Sequence, residues 1–469
     1  MNAITAPALA SPALPRLPAD AGGAALRLSE VLGALSYALD LTEGQPPGHC
    51  LRCGWIGMQI GFQLGLGSLA LSDLYYTLLL KDAGCSSNAA RLWQLYGGDE
   101  RVTKHDYKAV DSQSLTQLGL FVLRHAGAGE ALRARVARVL DLARNGEQLA
   151  TELIATRCER GADIVRRFGF SERVAAGVFS LDEHWNGKGR PQGLRGQRIP
   201  LGARIALLAQ VVDVFNTVGG PIAALAEARR RCGTWFDPHV VEAFAVAARA
   251  DAFWEGLADP AIDARVAALE PTAHAIPVDE DRLDVVAAAF ADIIDAKSSY
   301  TAGHSRRVTA YADAVSARLG MTRPQRRWLR RAGMLHDIGK LGVGTGILDK
   351  PGKLDDGEWE AMRRHAVLSE EILGRISIFR DLAPVAAAHH ERLDGRGYPK
   401  RLGDRAIARE TRILTAADIF DALTADRPYR AAFPVPDALA IMRKDVGTAL
   451  DPDVFAALEA AAPGFGLGA

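Results

Sequence analysis

Cysteine is scarce in this chain: of 469 residues only Cys50, Cys53, Cys85, Cys158 and Cys232 are cysteines, and none lies in the second half. So sparse and odd a set excludes a disulfide framework and points to a reducing compartment, so a cytoplasmic location is expected. Excess charge of either sign is also missing. The 56 basic and 56 acidic side chains cancel, which argues against a nucleic-acid or membrane-surface binder, since those carry a basic surplus. Strict alternation of apolar and polar residues, the mark of a half-buried strand, nowhere persists. The first 25 residues, rich in Ala and Pro, lack the basic start and apolar core of a signal peptide and are expected to be a disordered lead-in.

Only one early run, Trp55 to Leu80, is apolar enough to raise the question of a membrane span. Gln59, Gln63, Ser68 and Asp73 interrupt it, and Leu64-Gly65-Leu66-Gly67-Ser68 is turn chemistry. Two buried helices are expected there, and no membrane span.

What the chain does have is helical periodicity. Residues 26–41, 132–158, 240–254 and 282–298 place apolar side chains every three or four positions, so an all-α fold of two tandem helical domains is expected. The two domains are related. Shifting the sequence by 255 residues sets His49-Cys50-Leu51-Arg52 on His304-Ser305-Arg306-Arg307 and Leu80-Lys81-Asp82-Ala83-Gly84 on Leu335-His336-Asp337-Ile338-Gly339. At an offset of 208, Asn186-Gly187-Lys188-Gly189-Arg190-Pro191 falls on Asp394-Gly395-Arg396-Gly397-Tyr398-Pro399. Matches recurring in one order mark a repeat. The division expected is 26–259 for a first copy, 260–280 for a linker and 281–469 for a second copy.

Five of the eleven histidines lie between His304 and His390, with His336-Asp337, His365, His389-His390 and Asp418 in that region. A buried lone histidine is usually a satisfied core residue, but two adjacent pairs would leave many polar groups to satisfy without a ligand. A carboxylate flanked by imidazoles suits two shared cations, which could activate water against a phosphorus atom. On a helix over 324–340, His336 and Lys340 would share a face, and Ala332 and Gly333 would admit a neighbouring helix. The first copy has Lys81 in place of His336, Cys85 in place of Lys340 and Leu181-Asp182 in place of His389-His390, so it is expected to be metal-free, with the Lys81 ammonium serving Asp82 instead. His49, Cys50, Cys53 and Cys85 have some zinc-like spacing, but the repeat already accounts for His49 and Cys85.

His336-Asp337-Ile338-Gly339-Lys340, the run His389 to Pro399 and Asp418-Ile419-Phe420-Asp421-Ala422-Leu423-Thr424 together resemble the HD-GYP family of bacterial cyclic di-GMP phosphodiesterases, within the HD superfamily. The resemblance covers about 282–460 and implies a helical bundle around two divalent transition metals, iron or manganese. One would take His304, His336, Asp337 and Asp418, the other Asp337, His365, His389 and His390, with Asp337 as the bridge. Lys340 would position the nucleophile or the attacked phosphate, Tyr398 would contact the nucleotide, and Arg427 and Arg430 would contact phosphate and guanine. Ala366, Ser369 and Gly344-Thr345 depart from the family pattern, and Tyr300 stands where members with a third metal carry a glutamate. The function expected is hydrolysis of cyclic di-GMP to linear pGpG and onward to GMP, the alternatives being a phosphohydrolase for another cyclic dinucleotide or nucleotide and a catalytically weak cyclic di-GMP sensor. The first copy is left for regulation, packing or dimerisation, which makes a homodimer an expected partner arrangement.

Overall fold

The computed structural model describes residues 27–128, 130–426 and 430–465, and among them there are helices and isolated bridges but no strand. The helices begin where the sequence supplies side-chain acceptors. Asp99, Ser114, Ser171, Asp237, Asp279, Asp355 and Asp451 each take a backbone N–H at a helix start, satisfying donors that have no partner within the helix.

Both copies start their first histidine helix in the same way. Gly48 precedes the helix His49–Gln63 with φ 84°, and Gly303 precedes His304–Arg318 with φ 71°, a left-handed entry that favours glycine. The apolar stretch that raised the membrane question forms two helices, His49–Gln63 and Ser68–Leu80, as the polar interruptions predict. A different helix, Leu201–Arg230, is long and apolar enough to cross a membrane by composition, but half of its apolar window is buried in the fold. It breaks at Gly220 (φ 70°, ψ −173°), just before Pro221, whose ring cannot donate to the helix ladder.

The buried apolar side chains of both halves form one continuous cluster. The helix Leu28–Thr42 packs on the second copy's helix Asp356–Gly374 as well as on its own. Residues 260–280, expected as a linker, are instead built into the body. They carry a short helix, Ile262–Ala267, whose Val266 is fully buried. The buried Glu270 carboxylate accepts from Ser29 Oγ at 2.7 Å and from the Tyr76 hydroxyl. Burying that carboxylate requires those partners, and they fix the segment in place.

Candidate metal centre

The helix Arg323–Leu335 stops one residue before His336, and residues Ile338–Gly342 continue as a tighter 3-10 turn. This differs from an uninterrupted helix to Lys340. Close packing explains the change: a Cβ on Gly339 would lie 1.9 Å from the His365 carbonyl oxygen, so the turn is pressed against the helix Asp356–Gly374. In a 3-10 turn residues three apart are superposed, and Lys340 Nζ accordingly meets Asp337 Oδ2 at 2.5 Å. Ser369, which the family pattern would make a glycine, accepts Gly339 N–H at 2.9 Å and donates to the His336 carbonyl at 2.8 Å, locking the turn. Gly333 does admit a neighbour, with Thr309 Oγ1 2.8 Å from where its Cβ would be.

Asp337 sits at the centre of the expected ligands. Its Oδ2 faces His304 Nε2 and His336 Nε2, both at 3.3 Å, while its Oδ1 faces His365 Nε2 at 3.5 Å and His389 Nε2 at 3.7 Å. Asp418 Oδ1 lies 3.4 Å from His304 Nε2, on the Oδ2 side. His390 groups with His365 and His389 on the other side, and its ring stacks on Tyr398 at 4.7 Å between centroids. The two ligand sets implied by the resemblance are thus brought together around the two oxygens of one carboxylate.

The same Nε2 atoms of His304, His336, His365 and His389, with Asp337 Oδ1, are buried and without hydrogen-bond partners among the described residues. Buried polar atoms in native folds have partners, so five converging orphans fit cations. Each opposite ring nitrogen is already engaged. Nδ1 of His336, His365 and His389 lies 2.6–2.7 Å from the carbonyl oxygen of Gly333, Met362 or Ala386, which orients Nε2 toward the site.

Electrostatics favour neutral imidazoles on the Oδ1 side of Asp337. Burial pushes the His365 imidazole down to about 4 and His389 to about 3, so both are neutral donors near pH 7. Burial would also lower His304, but Asp337 and Asp421 carry it up to about 9. Burial would raise the Asp337 carboxyl, yet the His336 and Lys340 charges hold it well below the usual range.

A cavity of about 700 Å³ opens onto His304, Asp337 and Lys340 and is walled by Lys297, Tyr300, Ile347, Leu348, Lys350 and Trp359. Arg430 does not spend its guanidinium on this cavity: it donates to the carbonyls of Ala422, Leu423 and Ala431 and lies over the Phe433 ring. Arg427 lies outside the described residues. Reading the sequence missed Asp421, whose Oδ2 lies 2.7 Å from His304 Nδ1 while its Oδ1 accepts from Arg307 Nε at 2.6 Å. Its position one turn after Asp418 was the available signal. Glu391 was missed too; it accepts the Lys400 and Leu402 N–H groups and folds the loop that carries Tyr398.

In the first copy His49, Arg52 and Asp213 reproduce the His304, Arg307 and Asp421 triad at 2.7 and 2.6 Å. The centre is otherwise occupied by cations of the chain itself. Lys81 pairs with Asp82, and Lys108 lies 3.7 Å from Asp82 and 3.1 Å from Glu43. Arg157, which corresponds to His365 at the offset of 208, pairs with Asp182. The thiols are poor ligand candidates, since burial pushes Cys53 up to about 12 and raises Cys50 and Cys85 well above the usual range.

Comparison with known proteins agrees with this geometry. The HD domain family model matches residues 137–240 and again 288–454, one match in each copy. The chain is 52% identical over 434 residues to 3′3′-cGAMP-specific phosphodiesterase 3 of Vibrio cholerae, covering 92% of this chain and 94% of that protein. It is 37% identical over 175 residues to the cyclic di-GMP phosphodiesterase response regulator RpfG of Xanthomonas campestris, covering 37% of this chain and 46% of the relative. Among solved structures, the crystal structure of the V. cholerae cyclic GMP-AMP specific phosphodiesterase V-cGAP3 superposes with a TM-score of 0.66 at 48% identity, covering 94% of this chain and 98% of that one. The chain therefore belongs to the HD-domain family and, within it, to the HD-GYP family of metal-dependent cyclic dinucleotide phosphodiesterases.

Proposed function

We propose that this chain hydrolyses a phosphodiester bond of 3′3′-cGAMP at a dinuclear metal centre in its second copy. The observation that carries the site is Asp337, with one oxygen facing His304 and His336, which also meet Asp418, and the other facing His365 and His389, on the floor of a cavity large enough for a dinucleotide. Divalent cations bound there would polarise a phosphoryl oxygen and lower the pKa of the attacking water. The chain's own residues do the rest. Carbonyl partners at Nδ1 hold the imidazoles in one tautomer, and Asp421 holds His304. Lys340 keeps a positive charge at the cavity floor, where a phosphate would rest against it. Tyr398, stacked on His390, flanks the second ligand set and is assigned to nucleotide contact.

The choice of 3′3′-cGAMP over cyclic di-GMP rests on likeness that runs through both copies, whereas RpfG, named for cyclic di-GMP, matches only about a third of the chain. Cyclic di-GMP stays as the second reading because relatives named for it, RpfG among them, are still 37% identical over the part they match. The first copy, taken as 26–259, is assigned a metal-free and non-catalytic role.

The test is hydrolysis of 3′3′-cGAMP and cyclic di-GMP side by side, under anaerobic reducing conditions, with iron and with manganese. Faster turnover of 3′3′-cGAMP, two metals per chain and loss of activity in Asp337→Ala and His390→Ala are expected. Turnover surviving both substitutions would remove the proposed centre, and faster cleavage of cyclic di-GMP would move the substrate.

A further inference from the structure

The helix Glu100–Ala109 of the first copy carries Glu100, Lys104 and Lys108 at four-residue intervals, which places them along one face. Read as sequence, such charges suggest a solvated face. All three are buried or nearly so, and each has a partner in a different place. Lys108 and Lys104 reach Glu43 at 3.1 and 3.2 Å, and Lys108 also reaches the Asp82 carboxylate, tying this helix to the inert centre. Glu100 faces the other way, into the second copy.

Glu100 Oε1 lies 2.9 Å from Lys297 Nζ, with both side chains essentially without solvent exposure. Its Oε2 accepts the Thr345 N–H at 3.0 Å. Lys297 in turn donates to the Leu341 carbonyl at 3.2 Å, and Arg101 donates to the Gly342 carbonyl. The close fit extends to Trp93: a Cβ on Gly346 would lie 2.6 Å from its Nε1. Residues 341–348 are thus gripped by the first copy along their length. They follow Lys340 directly, and Ile347, Leu348 and Lys297 are walls of the substrate cavity.

We propose that Glu100 is a positioning residue for the hydrolase site: by holding Lys297 and the 341–348 segment it sets the shape of the substrate cavity beside Lys340. The inert copy acts through the helix Glu100–Ala109 as a fixed support, anchored at Glu43 and Asp82 and bearing on the catalytic turn. A buried carboxylate with two partners cannot be removed without leaving Lys297 uncompensated, so the segment must rearrange. This inference rests on the cyclic dinucleotide reading for its kinetic part but not for its structural part.

The test uses the full chain and the variants Glu100→Gln, Glu100→Ala and Glu100→Asp, with Thr345→Pro as a second route. Thr345→Pro removes the N–H that Glu100 accepts at the first residue of a helical turn, a place that tolerates proline. Two readouts are needed, KM and kcat for 3′3′-cGAMP and amide exchange of residues 341–348, with bound metal measured beside them. Glu100→Gln and Thr345→Pro should raise KM about tenfold or more, with kcat within about threefold, unchanged metal content and faster exchange confined to that segment. Glu100→Asp should recover part of the KM. Unchanged KM and unchanged exchange in a folded Glu100→Gln protein would overturn the proposal. So would exchange that quickens across the whole second copy, since that marks a general loss of stability. If the wild type cleaves no cyclic dinucleotide, the functional reading fails, and the exchange measurement alone decides the role of Glu100.

Discussion

The two copies place different solutions on one scaffold. Around Asp337 the chain supplies a second carboxylate, Asp418, and inward-facing imidazole nitrogens without partners among the described residues, an arrangement that suits cations from outside. Around Asp82 it supplies its own, through Lys81 and Lys108, with Gln210 at the position of Asp418 and 3.4 Å from Lys81 Nζ. A buried carboxylate needs positive charge in either case. The difference teaches that one helical scaffold can keep its fold with ammonium groups, in place of imidazoles, around its central carboxylate. The shared supports show what the scaffold itself requires: Asp213 and Asp421 each hold a histidine and an arginine, and Glu183 and Glu391 each fold a loop through two backbone N–H groups.

The sharpest way to break this comparison is to remove the central carboxylate from each copy in turn. Asp337→Ala should cost activity on the order of 10³-fold or more and release metal, as read by hydrolysis and elemental analysis. Asp82→Ala should leave the metal content unchanged but strand Lys81 and Lys108, lowering stability by about 3–5 kcal/mol in a denaturant titration. Equal metal loss from both would mean that the first copy also holds cations.

A smaller effect is expected at the carboxylates behind the first histidine of each copy. Asp421→Asn should weaken metal affinity about 10–100-fold, because His304 loses its orienting carboxylate, whereas Asp213→Asn should leave metal affinity unchanged. Competition with a chelator distinguishes them.

Acid should expose a weakness of the first copy. His184 stacks on Trp235 with ring centroids 3.9 Å apart, and burial, reinforced by the Arg231 charge, lowers it from 6.5 to about 3. Its folded value is depressed, so the neutral ring adds its full stability above pH 6.5 and loses it as pH falls toward 3. Between pH 6.5 and 5 the wild type should lose about 1.6 kcal/mol in all relative to His184→Phe, measured as the difference between their unfolding free energies. A parallel pH dependence in the two proteins would show that His184 is not buried in the neutral form.

Ser369→Ala should have the smallest effect. It removes the acceptor of Gly339 N–H and the donor to the His336 carbonyl, and a loss of about 1–2 kcal/mol with little change in metal content is expected from thermal unfolding.

The candidate ligands stood out in the sequence because histidine and aspartate at adjacent or recurring positions are chemically conspicuous, and the repeat gave several of them a counterpart that lacks the chemistry. The supports were less so. Ser369 looked like a departure from a family pattern, yet it bonds both sides of the turn that carries Asp337 and Lys340. Asp421 lay within a recognised motif, but only the fold brings it to His304, 117 positions earlier. The end of the helix at Leu335 was not readable either, since local periodicity continues through His336 while contact with the helix Asp356–Gly374 imposes the tighter turn.

By itself the sequence determined the helical class, the internal repeat, the identity of the candidate ligands and the loss of several of them from the first copy, because each follows from residue type and spacing. Tertiary structure decided the remainder. It put Asp337 between its two histidine sets, filled the first centre with Lys81 and Lys108, and carried Glu100 across to Lys297 and Thr345. These outcomes depend on side chains far apart in the chain sharing one low-dielectric interior, where every buried charge must find a partner.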